Sequence, residues 1–580
     1  MTSQPRPALS GIIGHNLPRW LVLTLVTLAL LLLVAHPLGW ILWNSFHDDS
    51  TKELTLGNYQ RMFTRPSLWI PIVNSLLLAF SVALFSTLIG VPLAWLVART
   101  DMPGRGFIRA MTMTAFVTPS FIGALGWILL AAPRAGWLNV GWRNLTGAEG
   151  QLLDIYTMTG TIFVCAIYTV PYTFALVASA FDEMAVELED AATTLGAGKW
   201  RTMLSITVPL ASPAFLVGFI LSFIQGMTLF GVPAFLLTPS GTRVVTTQLA
   251  EFYQLFPPEI FLAAAYCMPL LIVTAGLFWI RRRILGRRQF TTIGGKTRRT
   301  RRIALGARAR WLGFAFAMIV PVTAVILPFA ALLLVSLSKA WGMGPVSGNF
   351  TLDWYRWALL ENGETQRAIV NSLLYAGIAA SVCMLLGVVV AYISERRLFS
   401  GAAILGALAT TPIIIPGIVL SVGFFSAYTR PPFGFYGSAV LVIAAFVATF
   451  LPIAYSQGTT TIKGISPDLE RAARSVGAGE IRTFLSITAP LMRTGLVSGW
   501  LLVFIPIMRE LSVAIFLVSP KTNVMTTLIY NYKDGGNYEA VAATSVVLLA
   551  GTLVIVLLAR LLVGQGSRRT RKTPTTDSAA

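Results

Sequence analysis

The sequence predicts an all-α polytopic membrane protein of about twelve transmembrane helices, arranged as two tandem parallel six-helix repeats. Three observations carry this. Hydrophobic residues make up 55% of the 580 and charged residues only 12%, with a mean hydropathy of +0.72. An average soluble protein is about 25% charged, so these proportions cannot clothe several soluble domains and they exclude a water-soluble enzyme. The apolar residues come in long blocks, as in 21–43 and 311–337, and a bilayer core takes roughly 20 of them per helix. Finally, one half of the chain repeats in the other.

Spans are predicted at residues 20–44, 71–98, 108–131, 159–181, 212–237, 258–280, 311–337, 368–394, 401–427, 438–458, 492–518 and 538–563. The first is too long for a cleavable leader and no small-residue cleavage site follows it, so it reads as a retained span. Basic residues fall on alternate loops: Arg99, Arg105, Arg109, Lys199, Arg201, Arg396, Arg397, Lys463, Arg474 and Arg482 on one side, with Asp48, Asp49 and Glu53 on the other. Such a bias marks the cytoplasmic side and puts both termini there. Residues 281–310 hold twelve Lys and Arg and no acid, and the tail adds Arg568, Arg569, Arg571 and Lys572. The net charge of +20 is therefore read as topological, with anionic-lipid contact as a secondary effect and no nucleic-acid partner. The expected organisation is a first half at 1–280, an Arg-rich cytoplasmic linker at 281–310, a second half at 311–563 and a basic cytoplasmic tail at 564–580.

The repeat is explicit. Val73-Asn74-Ser75-Leu76-Leu77 recurs as Val370-Asn371-Ser372-Leu373-Leu374, an offset of 297 that also pairs Gly90 with Gly387, Ala94 with Ala391, Pro119 with Pro416 and Gly126 with Gly423. Beyond a longer loop near 134–158 the offset becomes 281 and pairs Gly196-Ala197-Gly198 with Gly477-Ala478-Gly479, and Phe235-Leu236 with Phe516-Leu517. Six spans is an even number, so both copies share one orientation and a pseudo-twofold axis along the membrane normal. A translocation path is expected where the halves meet.

The best-matched repeated segment is a loop, not a span. It runs from Leu188 through Glu189, Asp190, Ala191, Ala192, Gly196, Ile206 and Pro209 to Leu210. Its copy runs from Leu469 through Glu470, Arg471, Ala472, Ala473, Gly477, Ile487 and Pro490 to Leu491. The alanines favour helix, the glycines allow a tight bend, and the proline opens the next span. Small residues at a helix end let another protein approach closely. A mere connector has no reason to repeat so closely while the spans diverge.

These residues resemble the EAA loop of binding-protein-dependent ABC importer permeases: Glu-Ala-Ala, three residues, Gly, then about nine residues to Ile-x-x-Pro. The fused two-half layout most resembles the ferric-iron permease group. So do Asn74-Ser75 and Asn371-Ser372, Gly231-Val-Pro-Ala-Phe-Leu236 and Phe504-Ile-Pro-Ile-Met-Arg-Glu-Leu-Ser512. The resemblance implies a type I importer fold in a bacterial inner membrane. It also implies two copies of an ABC ATPase bound at the loops, with ATP and Mg on those subunits, and a periplasmic or surface-tethered solute-binding protein. One departure stands out: the acidic position of the motif is Asp190 in the first loop but Arg471 in the second, which suggests unequal grip.

The chain itself shows no ATP site. Gly294-Gly-Lys-Thr297 lacks the glycine six residues before Lys296, where Phe290 stands, and Gly196-Ala-Gly-Lys199 continues with Trp200. Cys165, Cys267 and Cys383 lie in apolar runs and read as buried hydrophobes. His15, His36 and His47 lack metal-ligand spacing. Charges inside spans are rare and functional by default. Arg509 and Glu510, read as mid-span, are thus either a structural pair or part of the path or gate, as are Gln225 and Thr228 more weakly. Pro119 and Pro416 either loosen a gate or kink ordinary packing. The expected cargo is ferric iron, with a phosphonate, polyamine, thiamine or other organic solute as alternatives. An ion-gradient-driven secondary transporter is the rival class, but it predicts several intramembrane acids where only Glu510 is found.

Overall fold

In a computed structural model, residues 9–48, 51–184, 186–287 and 302–569 are described. The middle of the Arg-rich linker, residues 288–301, and the end of the tail therefore lie outside the described residues. Among those described, ten helices are long and apolar enough to cross a membrane, and two further bent pairs bring the number to twelve. The order is α1 (Trp20–Ser45), α2 (Pro66–Arg99), α3 (Arg105–Val117), α4 (Ser120–Ala131), α5 (Met158–Glu183), α6 (Val186–Thr194), α7 (Met203–Thr228), α8 (Val245–Gln254), α9 (Ile260–Arg287) and α10 (Ala307–Ser336). Then come α11 (Gly363–Glu395), α12 (Ala402–Ile414), α13 (Gly417–Tyr428), α14 (Ala439–Lys463), α15 (Pro467–Ser475), α16 (Phe484–Met508), α17 (Met525–Asp534) and α18 (Tyr538–Arg569).

Two expected straight spans are not straight. The span at 108–131 is α3 and α4 bent by 102°, and that at 401–427 is α12 and α13 bent by 112°. Pro119 and Pro416 stand at the elbows, each with extended backbone just ahead of the second helix. Proline has no N–H to continue the first helix and its fixed φ suits the start of the next. The two prolines thus divide a span rather than loosen one.

The chain forms two compact units. One comprises Asn44–Gln366 with Thr527–Leu549, the other Met1–Trp43, Arg367–Thr526 and Ala550–Ala580. Each unit contains a first span drawn from the other sequence half. In the first unit a Cβ on Gly126 of α4 would lie 2.6 Å from Pro328 of α10. In the second a Cβ on Gly423 of α13 would lie 3.1 Å from the Pro37 carbonyl of α1. The matched glycines therefore mark where α10 and α1 press on α4 and α13. Gly90 and Gly387 do the same where the second span crosses the fourth: a Cβ at Gly387 would come within 2.8 Å of the Ala454 backbone. Cys165, Cys267 and Cys383 are buried free thiols.

Candidate functional site

In both repeated loops the sequence dictates how the short helix stops. Gly196 and Gly477 have φ of +82° and +89°, a conformation that costs other L-residues about 1–2 kcal/mol. The Ala197 N–H bonds the Ala192 carbonyl and the Ala478 N–H bonds the Ala473 carbonyl, each at 2.9–3.1 Å. This six-to-one closure with a left-handed glycine ends α6 and α15 in the same way. Nothing lies within 4 Å of a Cβ built on either glycine, so the space beside each is open. Beside them Leu195 and Val476 are 88% and 84% exposed, and further on Leu204 and Leu485 are 62% and 63% exposed. Both pairs sit at the 281 offset. Large apolar side chains are thus exposed at matched places on the two loops.

Pro209 and Pro490 each follow a wider, π-type turn, at Met203–Thr207 and Phe484–Thr488. A proline ring collides with the carbonyl one turn earlier, and widening the turn relieves it. Ala191 and Ala192, like Ala472 and Ala473, lie within the short helices. Asp190 accepts the Thr193 and Thr194 hydroxyls at its backbone carbonyl. Arg471, which holds the equivalent position, pairs with Asp468 at 2.9 Å on the surface.

Glu189 and Glu470 face inward. Glu189 pairs with the Arg99 guanidinium at the end of α2 and accepts the Thr207 hydroxyl at 2.7 Å. Glu470 receives Arg396 Nε at 3.1–3.2 Å and Nη2 at 3.1 Å, and accepts the Thr488 hydroxyl at 3.1 Å. One carboxylate thus joins three helices in each half. Reading the loops alone missed Arg99, Arg396, Thr207 and Thr488. The signal was present, because Arg99 and Arg396 stand 297 apart, the offset of the Asn-Ser pairs. Beside Arg99 the returning linker is pinned too: the Ile303 N–H donates to the Arg99 carbonyl at 2.8 Å and the Leu305 N–H to Asp101 Oδ1 at 2.9 Å.

Away from the loops, the fifth span of each half ends earlier than expected. α7 stops at Thr228 and α16 at Met508, so Arg509 and Glu510 lie at the end of a helix and not mid-span. The chain then folds back, and non-helical backbone at membrane depth persists only where protein or water satisfies it. Asn74 donates to the Arg243 carbonyl at 2.9 Å, and Ser75 accepts the Val245 N–H at 2.7 Å. In the second half Asn371 donates to the Lys521 and Asn523 carbonyls, and Ser372 accepts the Met525 N–H at 2.8 Å. The Thr246 hydroxyl donates to the Leu229 carbonyl at 3.0 Å and the Thr526 hydroxyl to the Glu510 carbonyl at 2.9 Å. The Glu510 side chain accepts the Val513 N–H at 3.2 Å, capping the turn next to Gly417. Gln225 offers its carbonyl to the Leu229 N–H at the last turn of α7, and the Thr228 hydroxyl turns back toward the same oxygen. Behind the first returning segment is a cavity of about 220 Å³ lined by Thr238, Thr242, Arg243, Glu251, Gln254 and Tyr530, among others. None of the path residues expected from sequence lines it.

The chain resembles curated proteins along most of its length. It is 26% identical over 511 residues to a ferric transport system permease protein of Actinobacillus pleuropneumoniae, covering 85% of this chain and 71% of that one. It is 25% identical to a putative ferric transport system permease protein of Haemophilus influenzae, covering 87% of this chain and 79% of that one. A molybdenum transport system permease protein of Escherichia coli is 28% identical over 192 residues, 32% of this chain and 80% of that protein. The model of the binding-protein-dependent transport system inner membrane component matches twice, at residues 87–289 and 384–572, each match containing one of the two loops. The chain belongs to that family: it is an ABC importer permease in which two halves are fused.

Proposed function

We propose that this permease carries ferric iron into the cytoplasm across a bacterial inner membrane. The observation that carries this reading is the match to two ferric permeases over 85% and 87% of the chain, both halves included. A periplasmic or surface-tethered binding protein delivers the iron and holds the selectivity. Two copies of an ATPase dock on the two loops, where Leu195 with Leu204 and Val476 with Leu485 provide matched apolar contacts beside the open glycines. ATP and Mg sit on those subunits. Their closure on ATP favours the state in which the loops approach, and this differential binding turns the path from one side of the membrane to the other.

A second reading keeps the machinery and changes the cargo to an oxyanion, favoured by the molybdenum permease that matches a single half. The deciding experiment purifies the partner binding protein and analyses its ligand by elemental analysis. Iron bound close to one per protein, with uptake of radiolabelled ferric ion by the reconstituted complex, supports the first reading. Molybdenum, or an organic ligand with no iron uptake, refutes it.

A further inference from the structure

The two inward-facing glutamates repeat a three-way connection while the loop surfaces around them diverge. Asp190 is matched by Arg471 and Lys199 by Glu480, yet Arg99–Glu189–Thr207 and Arg396–Glu470–Thr488 are kept whole. In each cluster one charged partner is sealed from solvent. The Arg99 and Glu470 side chains are 0% exposed, and their partners Glu189 and Arg396 are 13% and 14% exposed. Separating a buried pair strands a charge, which is far costlier than breaking a surface bridge. The loop helix therefore cannot shift without carrying the end of the second span and the start of the fifth.

The same two spans are held at their other ends. Residue 75 near the start of α2 latches the returning segment at Val245, and Thr246 latches that segment to the end of α7 at Leu229. The second half repeats this with Ser372, Met525, Thr526 and Glu510. From Ser75 to Arg99 the helix spans about 36 Å at 1.5 Å per residue.

We propose that the two Arg–Glu–Thr clusters are the joints that convert loop displacement into movement of the second and fifth spans, with Glu189 and Glu470 as positioning residues. This rests on the reading that the ATPase docks at the loops. The test uses the purified complex of the chain with its ATPase subunits in lipid nanodiscs. Nitroxide pairs at Leu195 and Val476 report on the loops, and pairs at Phe256 and Lys521 on exposed far loops. ATP with vanadate is expected to shift both distances in the native background.

In the Glu189→Gln, Glu470→Gln double variant the loop shift and ATP hydrolysis should persist while the far shift falls below half. Thr207→Val with Thr488→Val removes one tie per joint without stranding a charge. It should lower the far shift partially, with a modest fall in melting temperature and the complex still assembled, and it decides the matter should the glutamate variant fail to assemble. A full far shift in the variants that assemble would overturn the proposal alone. A native complex whose loops do not move on ATP would overturn the docking reading beneath it.

Discussion

The Ser75 hydroxyl accepts the Val245 N–H at 2.7 Å across 170 residues of sequence, and both groups are buried. Ser372 does the same for Met525. The two copies of Asn-Ser are thus fasteners for a segment that returns into its half, and they do more than open a span.

Ser75→Ala should leave a buried N–H unsatisfied, at a cost of about 1–3 kcal/mol. The expected result is a lower melting temperature for the purified permease with normal membrane insertion, and a larger drop when Ser372→Ala is added. Fluorescence-detected thermal unfolding measures both, and an unchanged midpoint in the double variant would show that the latch contributes nothing.

Gly196→Val and Gly477→Val each force a branched residue into the left-handed region and fill the open space beside the loop. Expected are normal membrane levels, loss of most transport and loss of binding-protein-stimulated ATP hydrolysis. The two variants should be unequally impaired, since the neighbouring residue is Asp190 in one loop and Arg471 in the other. Normal transport in both would refute the docking role.

Glu510→Gln retains an oxygen for the Val513 N–H and Glu510→Ala does not. The alanine variant should lose about 1–3 kcal/mol of stability and the glutamine variant much less. Uptake normalised to assembled complex should nevertheless fall severalfold in Glu510→Gln. Uptake near normal in the glutamine variant would confine Glu510 to capping the turn.

The orientation predicts that a cysteine at Lys296 is shielded from an impermeant thiol reagent in intact cells, while one at the exposed Lys521 reacts. The reverse pattern would invert the topology.

The repeat and the number of apolar helices were legible in the sequence because each is a matter of composition or spacing, and the family was legible through the resemblance of the two repeated segments to a known motif. Direction was not. Hydropathy reads α3 with α4 as one span since both are apolar, although they meet at 102°. The fifth spans were overextended for the same reason: Gly231-Val-Pro-Ala-Phe-Leu236 is as apolar as a span but is buried in protein rather than lipid. Arg509 and Glu510 were accordingly assigned to a helix interior when they lie where the helix stops. The Arg99 and Arg396 joints escaped notice because a positively charged loop residue has a sufficient explanation in topology, and only the shared offset pointed further. Nothing local announces that α1 and α10 pack with helices from the opposite half of the sequence.

Asp190 stands beside Glu187, while the equivalent Arg471 is neutralised by Asp468. A permease assembled from two identical half-chains would show each ATPase the same face. In one fused chain the two faces differ, and the ATPase proposed to dock twice would have to meet both. On the docking proposed above, its groove would meet an acidic ridge at one seat and a zwitterionic ridge at the other. Selection on that ATPase should therefore favour apolar complementarity over charge complementarity at this contact. Exchange of the two loop sequences between the halves should then be tolerated better than reversal of any one joint.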